Sequence, residues 1–250
     1  MHHRIFSNIP KLMTNHLFCR ACLSLLILLQ IGCHPSDSTP ASGAEQTKAQ
    51  AAPENMIAFH DPNSGISFRY PSGYLFNHRE GTPDQPSIYV SIERPGDLSG
   101  TLGYDSTTAF QERAALAQGK FGPKIDFPVK ASMQVVPLPD GHYAKTFAVM
   151  RRLEICDVTF QQVFITYLNG FQVRIMMSTP VRQVMQQNPS YFRKDPANCS
   201  NLSIWKADGP DVFYNDLQAE KITGAAANWH RNFTAMVSSM KIDKHVLDVE

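Results

Sequence analysis

Asn169-Gly170, set between two strand-like runs, constrains the fold of this chain more than any other local feature. A two-residue type I′ turn needs positive φ at both positions, and its twist matches that of paired strands. Asn and Gly tolerate that conformation, so the dipeptide predicts an antiparallel hairpin of Asp157 to Leu168 with Phe171 to Ser178. In that register Leu168 faces Phe171, Thr166 faces Val173 and Phe164 faces Ile175. One face is then almost wholly apolar, extended by Phe160 and Met177, and has to pack on a helix or on the core.

Strand signals recur on both sides of this hairpin. Ile66, Phe68 and Tyr70 share a face of Gly65 to Tyr70, which Pro71-Ser72-Gly73 ends. Ser87 to Arg94 alternates Ile88, Val90 and Ile92 with Tyr89, Ser91 and Glu93, and Pro95-Gly96 stops it. Val129 to Leu138 puts Val129, Ala131, Met133 and Val135 on one side. Pro139-Asp140-Gly141 then turns the chain, and a strand returns from His142 to Leu153.

Helical spacing is predicted at three places. Asp105 to Gly119 carries a capping-box pattern at Thr108 and Gln111 and places Phe110, Ala114 and Ala117 on one face. Val181 to Gln187 reads as a short helix. The last helix runs from about Thr223 to Met240, with Trp229, Phe233, Met236, Val237 and Met240 as its apolar stripe. Between these two helices, to about Leu217, a polar stretch reads as a long loop. It holds Cys199, Trp205, Phe213 and Tyr214. No internal repeat is seen. Residues 56–250 are expected to form one α+β domain, an antiparallel sheet flanked by helices.

The start of the chain has a different chemistry. Residues 1–33 hold Arg4, Lys11 and Arg20 and no acidic residue, and an apolar run extends from Ala21 to Leu29. A basic start, a short apolar middle and a small residue at the cut make the signal-peptide pattern. The run is about half of the roughly 20 residues that span a bilayer. Met13 offers a second start, with a leader of more usual length.

Ile31-Gly32-Cys33 resembles the lipobox of bacterial lipoproteins, with Gln30 where that family usually carries Leu. The resemblance implies removal of residues 1–32 and lipidation of Cys33 with diacylglyceryl and N-acyl chains such as palmitate. Two or more chains give stable membrane anchoring. His34, where Asp would retain some lipoproteins at the inner membrane, favours the outer membrane and a domain facing the periplasm. An ordinary secretory cut nearby is the alternative. Residues 33–55, rich in Ala, Ser, Pro, Gly, Gln and Thr, are expected to be a flexible tether. As a random coil it would reach about 25 Å.

Beyond the leader the chain has 20 Lys and Arg against 22 Asp and Glu. That balance gives no reason to expect nucleic acid as a partner. Cys19 and Cys22 have CxxC spacing but lie in the leader. Cys156 and Cys199 remain, and an oxidising compartment favours their pairing. The long loop they would close corresponds to roughly 4 kcal/mol in the chain-entropy estimate. Two buried thiols are the other reading.

Asp61-Pro62-Asn63-Ser64-Gly65-Ile66-Ser67-Phe68-Arg69-Tyr70-Pro71-Ser72-Gly73-Tyr74 resembles the opening of PsbP-like domains, with Tyr74 where Trp is common. Phe233 to Ile242 is similar to the closing helix and short strand of that family. The resemblance implies an α/β/α sandwich. It also implies the company of photosystem II extrinsic proteins, DcrB-type lipoproteins and secretion chaperones, which are mostly non-enzymatic.

No nucleophile elbow, zinc-protease, phosphate-loop or dinucleotide motif is present in the sequence. His60 and Asp61 are neighbours and would point to opposite faces of a strand. His78, His142 and His230 are scattered. No cofactor or metal is expected. Two regions suit recognition: the Gly/Pro-rich stretch Pro71 to Pro86, which includes Tyr74, and the segment of Trp205, Phe213 and Tyr214. The alternative for the latter is that the three aromatics cover a satellite core. The functional expectation is a lipid-anchored, non-catalytic envelope protein that binds a protein partner through loops. The alternatives are an inhibitor or immunity protein against a hydrolase or toxin, and an enzyme whose site is assembled from residues far apart in sequence.

Overall fold

The Asn169-Gly170 hairpin forms as its turn chemistry requires, with φ of 50° at Asn169 and 78° at Gly170. The computed structural model describes residues 55–78, 84–95, 106–123, 128–152, 158–193, 204–206 and 209–243. All lie in a unit running from Ala51 to Glu250. In chain order the strands are β1 (Met56–His60), β2 (Ile66–Pro71), β3 (Leu75–Phe76), β4 (Ser87–Glu93), β5 (Pro128–Pro137), β6 (Tyr143–Arg152), β7 (Val158–Leu168), β8 (Phe171–Ser178) and β9 (Lys241–Ile242). The helices are α1 (Ser106–Leu116), α2 (Val181–Gln187), α3 (Gly209–Gln218) and α4 (Ala225–Ser238).

β7 and β8 pair in the expected register: Leu168 with Phe171, Thr166 with Val173, Phe164 with Ile175. They are the central strands of a six-stranded sheet ordered β3-β4-β8-β7-β6-β5. The sheet is antiparallel except for the short parallel pairing of β3 with β4. The first strand signal, at Ile66 to Tyr70, falls in a second sheet ordered β1-β2-β9. β2 finds its partners in the start of the domain and in the short strand after its last helix, so the two ends of the domain meet there. The fold is α+β.

The main core fills one face of the large sheet. Phe160, Phe164, Val173, Ile175 and Met177 pack against Ile66 and Phe68 of β2 and against α4. The α4 stripe is as the spacing predicts: Trp229, Phe233, Met236 and Met240 are buried, and Val237 packs beside them. The Trp229 indole also donates to the Met177 carbonyl at 2.8 Å, which satisfies its one polar atom in the core. Every side chain of β7 except those of Val158 and Tyr167 is buried, so both faces of the sheet are covered there.

The opposite face carries α1, and its packing overturns the sequence expectation. Phe110 is 73% exposed. The buried positions of α1 are Ala109, Glu112 and Leu116. Glu112 turns inward because it forms an ion pair with Lys145 of β6, which is fully buried. The same carboxylate accepts from Tyr167 Oη at 2.5 Å and from Gln172 Nε2 at 3.0 Å. The Phe121 ring lies 5.2 Å from the Lys145 ammonium. Burial pulls Lys145 below its usual range, against the opposing pull of Glu112. A buried charge persists only when paired and hydrogen-bonded, so this pair sets which side of α1 meets the sheet.

Two further expectations are corrected. The alternation expected along β5 breaks at a bulge between Val129 and Gln134. There Ser132 Oγ donates to the Val129 carbonyl at 2.6 Å and accepts the Ala148 N–H at 2.6 Å, in place of a backbone rung. Ala131 therefore packs on the main core, whereas Met133 packs on the opposite face. The stretch read as loop up to Leu217 contains α3, whose Phe213, Tyr214 and Leu217 are buried. Its Asp211 carboxylate accepts the Ala131 N–H at 2.9 Å, tying the helix to the bulge.

Removing one charge of the Glu112–Lys145 pair leaves the other buried alone, at a cost of about 3–5 kcal/mol. Lys145→Met should therefore lower the urea midpoint sharply. The double variant Lys145→Met with Glu112→Gln, which keeps an acceptor for Tyr167 and Gln172, should recover most of the loss.

Candidate functional site

Where β8 ends, Thr179-Pro180 leads straight into α2, and the first turn of α4 lies beside the end of that helix. The close approach depends on Gly224, which precedes α4 with φ of 75°. A Cβ there would sit 2.4 Å from Gln187 Oε1. The freed space lets Gln187 Oε1 accept the Ala225 N–H at 2.9 Å, so a side chain of α2 caps α4.

Tyr74 and Pro86, from the Gly/Pro-rich stretch, close another side. The result is an open groove of about 250 Å³. Its lining includes Thr179, Gln183, Gln187, Asn228 and Asn232, with Trp229 beneath and Asp84 at a rim. Asn232 Nδ2 donates to Tyr74 Oη at 3.4 Å. Asp84 meets Arg182 at 3.4 Å with both side chains exposed, a contact of small energetic weight. The polar groups of the groove are thus mostly uncharged amides and hydroxyls, set among Pro86, Pro180, Ala225 and Trp229.

One group in it is unsatisfied. Thr179 is 1% exposed, and its Oγ1 has no hydrogen-bond partner among the described residues. A buried hydroxyl without a partner carries a desolvation cost of about 1–3 kcal/mol.

Of the residues singled out in sequence, Tyr74 lines this groove and is 9% exposed. Trp205, Phe213 and Tyr214 do not reach it and are buried in the main core. Trp205 stacks on Phe160 of β7 at 5.5 Å, lies 4.7 Å from Phe192, and donates to the Met150 carbonyl at 3.0 Å. Gly209 allows this, since a Cβ there would meet the Trp205 ring at 2.9 Å. The three aromatics belong to neither an exposed recognition loop nor a satellite core, so they offer no surface to a partner in the folded domain. Cys33, Cys156 and Cys199 lie outside the described residues.

The histidines are not brought together. His60 Nδ1 pairs with Ser67 Oγ at 2.9 Å across β1 and β2, and His78 is exposed. Asp61 accepts from the backbone and hydroxyl of Ser64, both at 2.7 Å. His230 packs edge-on to Tyr214 at 5.5 Å, and its Nδ1 lies 3.2 Å from Gln162 Oε1. Burial holds His230 below the usual imidazole range and pushes Tyr214 up to about 12. Among the described residues no three His, Cys, Asp or Glu side chains converge as a metal site would need. No helix there is long and apolar enough to cross a membrane.

No protein family matches the chain, and no curated protein matches it. Among solved structures it is similar to the solution structure of cyanobacterial PsbP (CyanoP) from Synechocystis sp. PCC 6803. The match has 14% sequence identity and a TM-score of 0.33, over 80% of this chain and 100% of that one. A likeness this distant says nothing about function.

The His230 environment gives a pH dependence with a defined sign. Its folded-state pKa is lowered, so the unfolded chain binds the proton first as pH falls. Its contribution is complete above about pH 6.5 and declines as pH drops through the unfolded value. Denaturation midpoints measured from pH 7.5 to 5 should fall, and His230→Gln should flatten that slope.

Proposed function

We propose that the chain is a lipid-anchored, non-catalytic protein of the cell envelope. It is held through Cys33 at the outer membrane, faces the periplasm, and binds a protein partner in the groove that α2 and α4 form with Tyr74 and Pro86. The observation that carries the reading is the groove lining. Primary amides neither gain nor lose protons near neutral pH, but each offers two donors and an acceptor. Such groups recognise rather than react. Tyr74 and Pro86 belong to the Pro71 to Pro86 stretch, one of the two regions that suit loop-based recognition, and loops on a rigid sheet are a common place for it. Both ends of the domain resemble PsbP-like domains, and within that family the DcrB-type lipoproteins are the group that fits the leader and the domain together.

Two measurements test this. Cells fed an alkyne-bearing fatty acid should label the protein at the envelope, and Cys33→Ala should abolish the label. A photo-crosslinking residue at position 183, in the groove, should give one defined protein adduct in intact cells. The same residue at position 110, on the exposed side of α1, should not. Unlabelled protein in the cytosol, or equal adducts at the two positions, would contradict the proposal.

A further inference from the structure

We infer that the groove holds an extended segment of its partner and reads the main chain of that segment; this rests on the reading of the groove as the binding site. The observation behind it is the spacing of the amides. Gln183 and Gln187 of α2 line the groove, and so do Asn228 and Asn232 of α4. The members of each pair are four residues apart, so they share a helix face. Four residues of helix rise about 6.0 Å. Two residues of an extended chain advance about 6.6–6.8 Å, and one edge of such a chain repeats its N–H and C=O at that interval. On each helix the amides thus recur at nearly the spacing of the main-chain groups they would meet.

Two hydrogen bonds mark the ends of the α4 row. Gln187 Oε1 accepts the Ala225 N–H at 2.9 Å, and Asn232 Nδ2 donates to Tyr74 Oη at 3.4 Å. Ala225 to Asn232 covers about 10.5 Å of helix axis, the length of about three extended residues. The same bonds decide what each amide still offers. Gln187 offers its NH2, and so does Asn228, whose Oδ1 accepts from Arg231 at 2.5 Å. Asn232 offers its Oδ1. The row therefore presents donors and then an acceptor, and a peptide main chain carries both kinds of group at every residue but Pro.

Other occupants fit less well. An amphipathic helix docks by an apolar stripe, and Trp229, at 1% exposure, leaves only Pro86, Pro180 and Ala225 to meet one. A glycan also uses amides, but its apolar ring faces call for an open aromatic face, and Tyr74 is 9% exposed. The charges at the edges are already engaged: Asp84 faces Arg182, and Arg231 bonds to Asn228. The main chain is what remains to be read.

Titrations of the whole isotope-labelled chain in detergent, followed through the side-chain amide signals of Asn and Gln, test this. Acetyl-Ala-Ala-Ala-Ala-amide should bind. The same peptide methylated at every backbone nitrogen should bind about ten-fold more weakly, as expected for the loss of about one hydrogen bond. A capped tetra-serine should bind within about three-fold of tetra-alanine, because main-chain bonds give the affinity and side-chain pockets the specificity. Asn228→Ala should weaken tetra-alanine binding about five-fold with the melting temperature kept, since Ala favours the helix more than Asn does.

No binding of tetra-alanine, equal binding of its methylated form, unchanged affinity in Asn228→Ala, or tighter binding of N,N′-diacetylchitobiose would overturn the inference. If the adduct at position 183 forms despite such a result, the partner reading stands and the extended segment falls. If the adduct is absent as well, both fall.

Discussion

The pairing of β7 with β8 is the constraint on which the rest of the domain depends. A two-residue turn fixes its register, and a slip of one residue would send Phe160, Phe164, Ile175 and Met177 to the wrong face. With the register fixed, one face gathers the apolar side chains that bury Trp229 and the α4 stripe. The other face receives Lys145 and Gln172, which call for a charged partner from outside the sheet. The groove follows from the same pairing, because the end of β8 delivers Thr179 to the start of α2 beside α4.

The two faces are held by different physics. Burial of large side chains scales with area and has no preferred direction, so the α4 face tolerates small shifts. The α1 face rests on Glu112 accepting from three neighbours, an arrangement that is costly when incomplete. Ala109 and Leu116 are buried beside it, and Phe147, Val163 and Ile165 form a small apolar cluster on the same face.

Local chemistry was legible in the sequence and distant pairing was not. Asn169-Gly170 declares its turn through φ alone, and the Trp229 stripe declares its face through spacing. The α1 face was misread because its decisive residue, Glu112, answers a lysine 33 positions away. The β5 alternation failed because the Ser132 hydroxyl takes the place of a backbone rung, which no periodicity encodes. α3 left a signal that was overlooked: Pro210 and Asp211 in its first turn, then Phe213, Tyr214 and Leu217 on one side. The groove was half visible. Tyr74 marked its stretch, but Thr179, Gln187 and Asn228 come from separate segments and belong to no motif.

The central claim is that this domain recognises its ligand at the junction of α2 and α4. Amide hydrogen exchange of the chain in native membrane vesicles, compared with the purified chain in detergent, tests it most directly. The account predicts slower exchange along α2 and the first turn of α4 in the vesicles, while α1 is unchanged. Slowing confined to α1 or the β5 edge, or no difference anywhere, would contradict it.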